Sequence, residues 1–349
     1  MKERNYGIDL LRLVLMYMVC MLHTLGQGGI LEACDKSSAG YKVFWLLEVF
    51  SYCAVDGFAI ISGYMAKDKP CKYDKIVNMW FQVFFYSFIV TLIFTLVGVN
   101  DSWGKIDIIK SALPVTTERF WYFTAFFALF LATPILNKFI FSIDTNTAKK
   151  CFIIFIVLFA VMGNLGDPFQ SKSGYSTIWL VVLYCVGALA KKIQLFESKK
   201  SITLILMWAV SILVTWAAYV FFDIKQLTRY ISPTILLNGM IMVVLFSRLK
   251  LKGTIIAKLS PLAFGIYLFQ LNQVVWSKLI KGSFAFVASK NLAIGILYSF
   301  AFAFLIFISG LIVEAIRSKA AQLLRLPLLS KKIAELFDKM IVKLFVFLK

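Results

Sequence analysis

An all-α, polytopic membrane protein with about ten transmembrane helices and cytoplasmic N- and C-termini is the fold class this sequence predicts, on three observations. Of 349 residues 60% are hydrophobic and only 16% charged, where a soluble domain carries about 25% charged residues. The apolar residues gather into recurring runs, most of them near the twenty or so that a bilayer's hydrocarbon core demands. The basic residues also alternate. With the N-terminus in the cytoplasm, 25 of the 37 Lys and Arg fall on the cytoplasmic side, 11 on the other, and Arg12 within the first span. That asymmetry is the positive-inside pattern of ten spans.

Taken in order, the spans are expected at 8–25, 43–65, 76–99, 120–137, 151–165, 175–190, 202–222, 230–247, 261–279 and 291–313. The first follows Lys2 and Arg4 and superficially resembles a signal peptide. Arg12 interrupts its apolar stretch, however, and no small-x-small cleavage site follows before Glu32, so it reads as a retained helix. The fifth and sixth are short. The largest extracytoplasmic segment, 100–119, carries Trp103 and Pro114 and is expected to be structured near the interface. Residues 1–316 form one membrane-embedded domain and 317–349 a basic cytoplasmic tail. In that tail Ile333, Leu336, Phe337, Met340, Ile341, Leu344, Phe345 and Leu348 recur every three or four positions, opposite Lys331, Lys332, Glu335, Asp338, Lys339 and Lys343. This is the pattern of an amphipathic helix in the headgroup layer.

The net charge of +19 reports topology and attraction to anionic lipid, not a nucleic-acid partner, because its location follows the spans. Six cysteines (Cys20, Cys34, Cys53, Cys71, Cys151 and Cys185) show no CxxC spacing, so neither a disulfide framework nor a metal site is indicated.

Ionisable groups inside a membrane are functional candidates by default. His23 is the sole histidine and lies in the first span, eleven positions after Arg12. Eleven helical steps are three turns plus about 20°, which puts both side chains on one face, roughly 16 Å apart. Imidazole suits proton removal from a hydroxyl near neutral pH; guanidinium binds phosphate bidentately and stays charged. Arg12 could equally snorkel to the headgroups. Asp9, one turn earlier, is placed to orient Arg12. The second span contains Glu48 and Asp56, acids expected to face protein or water, Asp56 as a possible partner for a cation of the first span. It ends in Phe58-Ala59-Ile60-Ile61-Ser62-Gly63-Tyr64, whose small residues allow close helix approach or a cavity. Arg119, Trp121 and Tyr122 open the fourth span; they suit either an aromatic belt or the binding of sugars and anionic groups.

In order along the chain, these pieces resemble the membrane acyltransferase family 3, bacterial integral membrane O-acyltransferases acting on surface or exported glycans. The likeness covers about 5–315. It rests on the Gly-x-Asp-Leu-Leu-Arg opening, Arg12-x10-His23, Phe58 through Tyr64, Trp121-Tyr122 through Pro134, and Ser260-Pro261 through the Ile266-Tyr267-Leu268 segment. One position departs: where many relatives carry a histidine after Ile-Tyr-Leu, this chain has Gln270. Position 270 is therefore left at most a hydrogen-bonding part, and Gln270→Ala is expected to be mild.

The resemblance implies an O-acetyltransferase of the cell membrane with no permanently bound cofactor. It takes acetyl-CoA (or another acyl-CoA such as succinyl-CoA) as donor and a sugar hydroxyl of a glycan as acceptor. Within that scheme Arg12 holds the donor, His23 acts as general base or transient acyl carrier, Arg119 and Trp121 serve the acceptor side, and Ser62 and Gly63 shape the cavity. A separate extracytoplasmic protein is required if a second transfer follows outside the membrane. The rival reading from another class is a transporter or flippase for a glycan or lipid-linked sugar, which ten spans with intramembrane charges also suit.

Overall fold

The computed structural model describes residues 4–69, 72–99 and 104–347; Lys2, Cys71, Trp103 and Leu348 lie outside them. The described chain is helical, with no strands among these residues. Among the described residues eight helices are long and apolar enough to cross a membrane: Tyr6–Ala33, Ala39–Tyr64, Tyr73–Leu96, Trp121–Ser142, Thr145–Gly166, Ser201–Phe222, Lys225–Ser247 and Leu292–Leu323. A ninth candidate is a broken pair, Thr254–Gln270 and Gln273–Ser289, bent by 60° at the break. The expected sixth span corresponds to Thr177–Lys192, whose 16 residues are short for a bilayer but lie in the middle of the bundle, with Trp179, Leu183 and Leu189 fully buried.

Helix starts follow local chemistry. An N-terminal turn leaves amide donors without helical partners, and a side-chain oxygen just before it can accept from one of them. Asn5 accepts from the Ile8 amide, Ser38 from Tyr41, Ser176 from Trp179 and Asn291 from Ile294. Asp144 caps Thr145–Phe155 through the Asn146 and Thr147 amides, and these bonds, with the Thr147 hydroxyl, lower its pKa to about 2.

The core is assembled around Tyr6–Leu22 and Ala39–Tyr64. Ala39–Tyr64 packs tightly on Thr177–Lys192 because each presents a glycine to the other's backbone. A Cβ on Gly63 would lie 1.8 Å from the Tyr184 carbonyl oxygen, and one on Gly187 would lie 2.3 Å from that of Ile60. Only hydrogen fits at either place. The opposite extreme is Ser201–Phe222, where Ile205, Leu206, Val210 and Leu213 are about half exposed and form an apolar face suited to lipid.

Leu292–Leu323 runs unbroken for 32 residues, past both the span end expected at 313 and the domain boundary expected at 316. Beyond position 313 it is tied to the bundle by a buried ion pair. Glu314 accepts two bonds from Arg317, at 2.8 and 2.6 Å, and one from the Tyr86 hydroxyl at 2.9 Å. The tail forms a helix, Leu326–Phe347, that packs on Tyr73–Phe84 and on Leu292–Leu323. It buries Ser330 and Ala334 and leaves Leu336, Phe337 and Met340 more than half exposed. The tail helix therefore has a protein-facing stripe of small residues, which the spacing of its large apolar residues did not reveal.

Candidate active site

The first helix stays α-helical through Leu22 and then widens into a π-helical turn, His23–Gln27, closed by the Gly28 amide donating to the His23 carbonyl at 2.7 Å. Single π turns inside α-helices concentrate at functional sites because the extra residue re-aims neighbouring side chains. Here the turn begins at the chain's sole histidine. Gly29 follows with φ +89°, in the left-handed region, and the segment is pinned from outside by the Gly282 and Phe284 amides donating to the Gln27 and Gly28 carbonyls.

The second component is the broken helix. Its break, at Leu271 and Asn272, is held by the Asn272 side chain. That amide donates to the Tyr86 carbonyl at 2.7 Å and to Thr91 Oγ1 at 3.0 Å, and its oxygen accepts from the Val274 and Val275 amides. Gln270, fully buried, is the last residue of the first half. Its Oε1 lies 3.0 Å from His23 Nδ1, while its Nε2 points at the Met16 sulfur at 3.8 Å. A thioether accepts and an amide oxygen does not donate, so this orientation of the amide is the favourable one. Nδ1 then carries the ring proton, and Nε2 is left with its lone pair free. The Trp276 indole meets the ring edge-on, centroids 5.1 Å apart at 89°, and fixes its tilt.

Arg12 is anchored at the other end of the same helix face. Its Nη1 donates to Asp9 Oδ1 at 2.7 Å, and buried Asp9 also accepts from Arg4 Nε and, at 3.2 Å, from the Ser260 hydroxyl. A single carboxylate thus holds Arg12 through one nitrogen and leaves the rest of the fork available.

Arg12, Met16, Val19 and His23 line a single cavity of about 420 Å³. Their spacing of four, three and four is one helical stripe. Ser62, Trp121 and Tyr122 line the same cavity, so the structure brings them together with Arg12 and His23. Ser62 donates to the Phe58 carbonyl at 2.9 Å. Asp9 sits behind Arg12, and Gly63 faces away, into the contact with Thr177–Lys192. Asp56 does not pair with a cation of the first span: its Oδ1 accepts from the Trp179 indole at 3.0 Å, and Arg12 already has Asp9. Glu48 and Asp56 are both buried against protein.

Arg119 lies outside this cavity. It lines a separate space of about 50 Å³ with Ser87, Thr91, Ser111, Asn272 and Gln273, divided from the large one by Leu271, which lines both. Burial lowers the Arg119 pKa and Asp107, 3.8 Å away, opposes that shift.

Sequence reasoning missed the wall facing Arg12 and His23. Tyr175, Tyr230 and Tyr267 join Trp121 and Tyr122 there, with Trp121 and Tyr175 centroids 4.8 Å apart and Tyr175 and Tyr230 5.1 Å apart. Tyr267 and Ser260 were legible inside the segment from Ser260-Pro261 through Ile266-Tyr267-Leu268; Tyr175 and Tyr230, at the starts expected for the sixth and eighth spans, stand in no motif. Among the described residues no three His, Cys, Asp or Glu side chains converge on one point to hold a metal.

Neither the curated proteins nor the solved structures contain a match to this chain. The family model described as an acyltransferase domain matches residues 5–329, nearly the whole chain and every element of the cavity just described. The chain therefore belongs to the acyltransferase family 3, and is a membrane acyltransferase.

Proposed function

We propose that this membrane acyltransferase moves an acetyl group from acetyl-CoA to a sugar hydroxyl of a surface or exported glycan, in the cell membrane, with His23 as general base. The observation that carries the reading is the His23–Gln270 bond: with the amide oxygen accepting from Nδ1, the Nε2 lone pair is left free on the stripe that lines the cavity with Arg12. In the step proposed, Nε2 takes the proton of the acceptor hydroxyl as its oxygen attacks the thioester carbonyl. The carbon–sulfur bond then breaks, and the imidazolium returns the proton to the departing CoA thiolate. Proton transfer by a positioned base of this kind contributes about 10²- to 10⁴-fold. Arg12, with Asp9 taking only one of its nitrogens, binds donor phosphate.

The cavity's size, about 420 Å³, is within the range of sites that enclose a small ligand. Its aromatic wall, Trp121 and the four tyrosines, offers flat apolar faces to a sugar ring's C–H surface and hydroxyls to its edges. Trp121 and Ser62 are accordingly assigned to substrate.

The test is CoA release from acetyl-CoA by the purified protein in proteoliposomes. Release that needs both His23 and an added acceptor glycan supports the reading. Acceptor-independent release, or full release by His23→Ala, rejects it.

A further inference from the structure

The small cavity beside Arg119 is a second place where a guanidinium meets hydroxyls. We propose that it is a subsite for one carboxylate, carried by the sugar that is acylated or by the acyl group that is transferred; this rests on the acyl-transfer reading above.

The guanidinium is only partly satisfied. Nη1 donates to Gln273 Oε1, while the Nη2 bonds to Ser111 Oγ and the Asp107 carbonyl are long, 3.3 and 3.4 Å. Nε is buried with no partner. The nearest carboxylate, Asp107, stands 3.8 Å off, beyond hydrogen-bond reach, and its own side chain is 35% exposed. Asp107 keeps the arginine in place without completing it.

Hydroxyls complete the pocket. In the helix that supplies them, Thr91 and Thr95 bond back to carbonyls four residues earlier, at 2.7 and 2.9 Å. Ser87, one turn before Thr91, has no such bond and no partner among the described residues, although it is buried and lines the cavity. Ser111 accepts from Arg119 and retains its own proton for donation. Three donors thus remain unused on residues that line the cavity: Arg119 Nε and the Ser87 and Ser111 hydroxyls. A carboxylate presents two oxygens with about four acceptor sites and one negative charge, which matches one guanidinium. A volume of about 50 Å³ admits a group of that size and not a sugar ring.

Leu271 lines both cavities, and consecutive residues Phe120 and Trp121 line one each. In the proposal the remainder of the molecule that carries the carboxylate lies in the large cavity, reached past Leu271.

Two probe pairs separate the two sources. The full chain in lipid nanodiscs is titrated calorimetrically with glucuronate against glucose, and with succinyl-CoA against acetyl-CoA. Within one pair the carboxylate-bearing member is expected to bind about tenfold tighter or more, with the ratio falling to near one in Arg119→Gln. Preference in the sugar pair assigns the carboxylate to the acceptor; preference in the donor pair assigns it to the acyl chain. Ser87→Ala removes no bond present in the structure, so it carries the test if Arg119→Gln does not fold, and is expected to reduce the ratio. Equal Kd values within both pairs overturn the proposal, as does a preference unchanged in every folded variant. Failure of the acyl-transfer reading looks different: no sugar, charged or neutral, then elicits CoA release, whatever the Kd ratios.

Discussion

Replacing Gln270 should slow the chemistry without emptying the site. Gln270 is fully buried and supplies the acceptor for His23 Nδ1 at 3.0 Å. Gln270→Ala leaves a buried N–H with no partner, which costs about 1–3 kcal/mol. The ring recovers part of that by turning or by moving its proton to Nε2, and either change removes the free lone pair from the position where the acceptor hydroxyl must meet it. At about 1.4 kcal/mol per factor of ten, kcat should fall roughly ten- to a hundredfold, with KM for acetyl-CoA little changed because Arg12 is untouched. Gln270→Glu keeps an oxygen acceptor on Nδ1 and should retain most of the rate. The assay is thiol release from acetyl-CoA in nanodiscs, at saturating acceptor prepared from the host's own envelope glycan, for variants of equal Tm. Wild-type kcat in Gln270→Ala, or equal losses in the Ala and Glu variants, would refute the tautomer argument. The structure thereby revises the mild effect expected from sequence, where position 270 was visible only as a missing histidine.

Three further outcomes follow from particular contacts. Gly63→Ala places a methyl within 1.8 Å of the Tyr184 carbonyl oxygen, so the two helices must separate; a loss of about 1–3 kcal/mol or more should appear as a lowered Tm and reduced membrane abundance. Arg317→Ala strips Glu314 of both arginine bonds while it stays buried, and breaking such a pair costs about 3–5 kcal/mol; a thermal melt in detergent checks it, with Glu314→Gln/Arg317→Met expected to recover much of the loss. Arg12→Lys replaces a fork with a point charge, and because Asp9 holds the fork by one nitrogen, KM for the donor should rise about tenfold or more while kcat changes less, as steady-state kinetics would show.

How far the sequence reached depended on the range of the forces involved. Burial of apolar length is local, so the order and approximate placement of the spans could be read directly, and helical periodicity put Arg12 and His23 on one stripe before any cavity was seen. The π turn at His23 could not be read, because nothing in His-Thr-Leu-Gly-Gln marks one; it is held by bonds from Gly282 and Phe284, over 250 residues away. The partnership of His23 with Gln270 is of the same kind, spanning 247 positions. From sequence Arg119 was grouped with Trp121 on the acceptor side; the structure places it at a separate space, bounded by the break at Asn272, whose side chain is committed to Tyr86 and Thr91. The tail helix adds a face that the sequence did not mark: its large apolar residues are conspicuous there, while its contact with the bundle buries Ser330 and Ala334.

The measurement that bears most directly on the central claim compares base-labile acyl groups on the host's surface and exported glycans. A deletion strain is complemented with wild type or with His23→Ala, at matched membrane abundance. The account predicts acylation with wild type and none above the deletion background with His23→Ala. Equal acylation by both, or glycan export failing in the deletion while acylation is indifferent to His23, would contradict it and turn attention to transport.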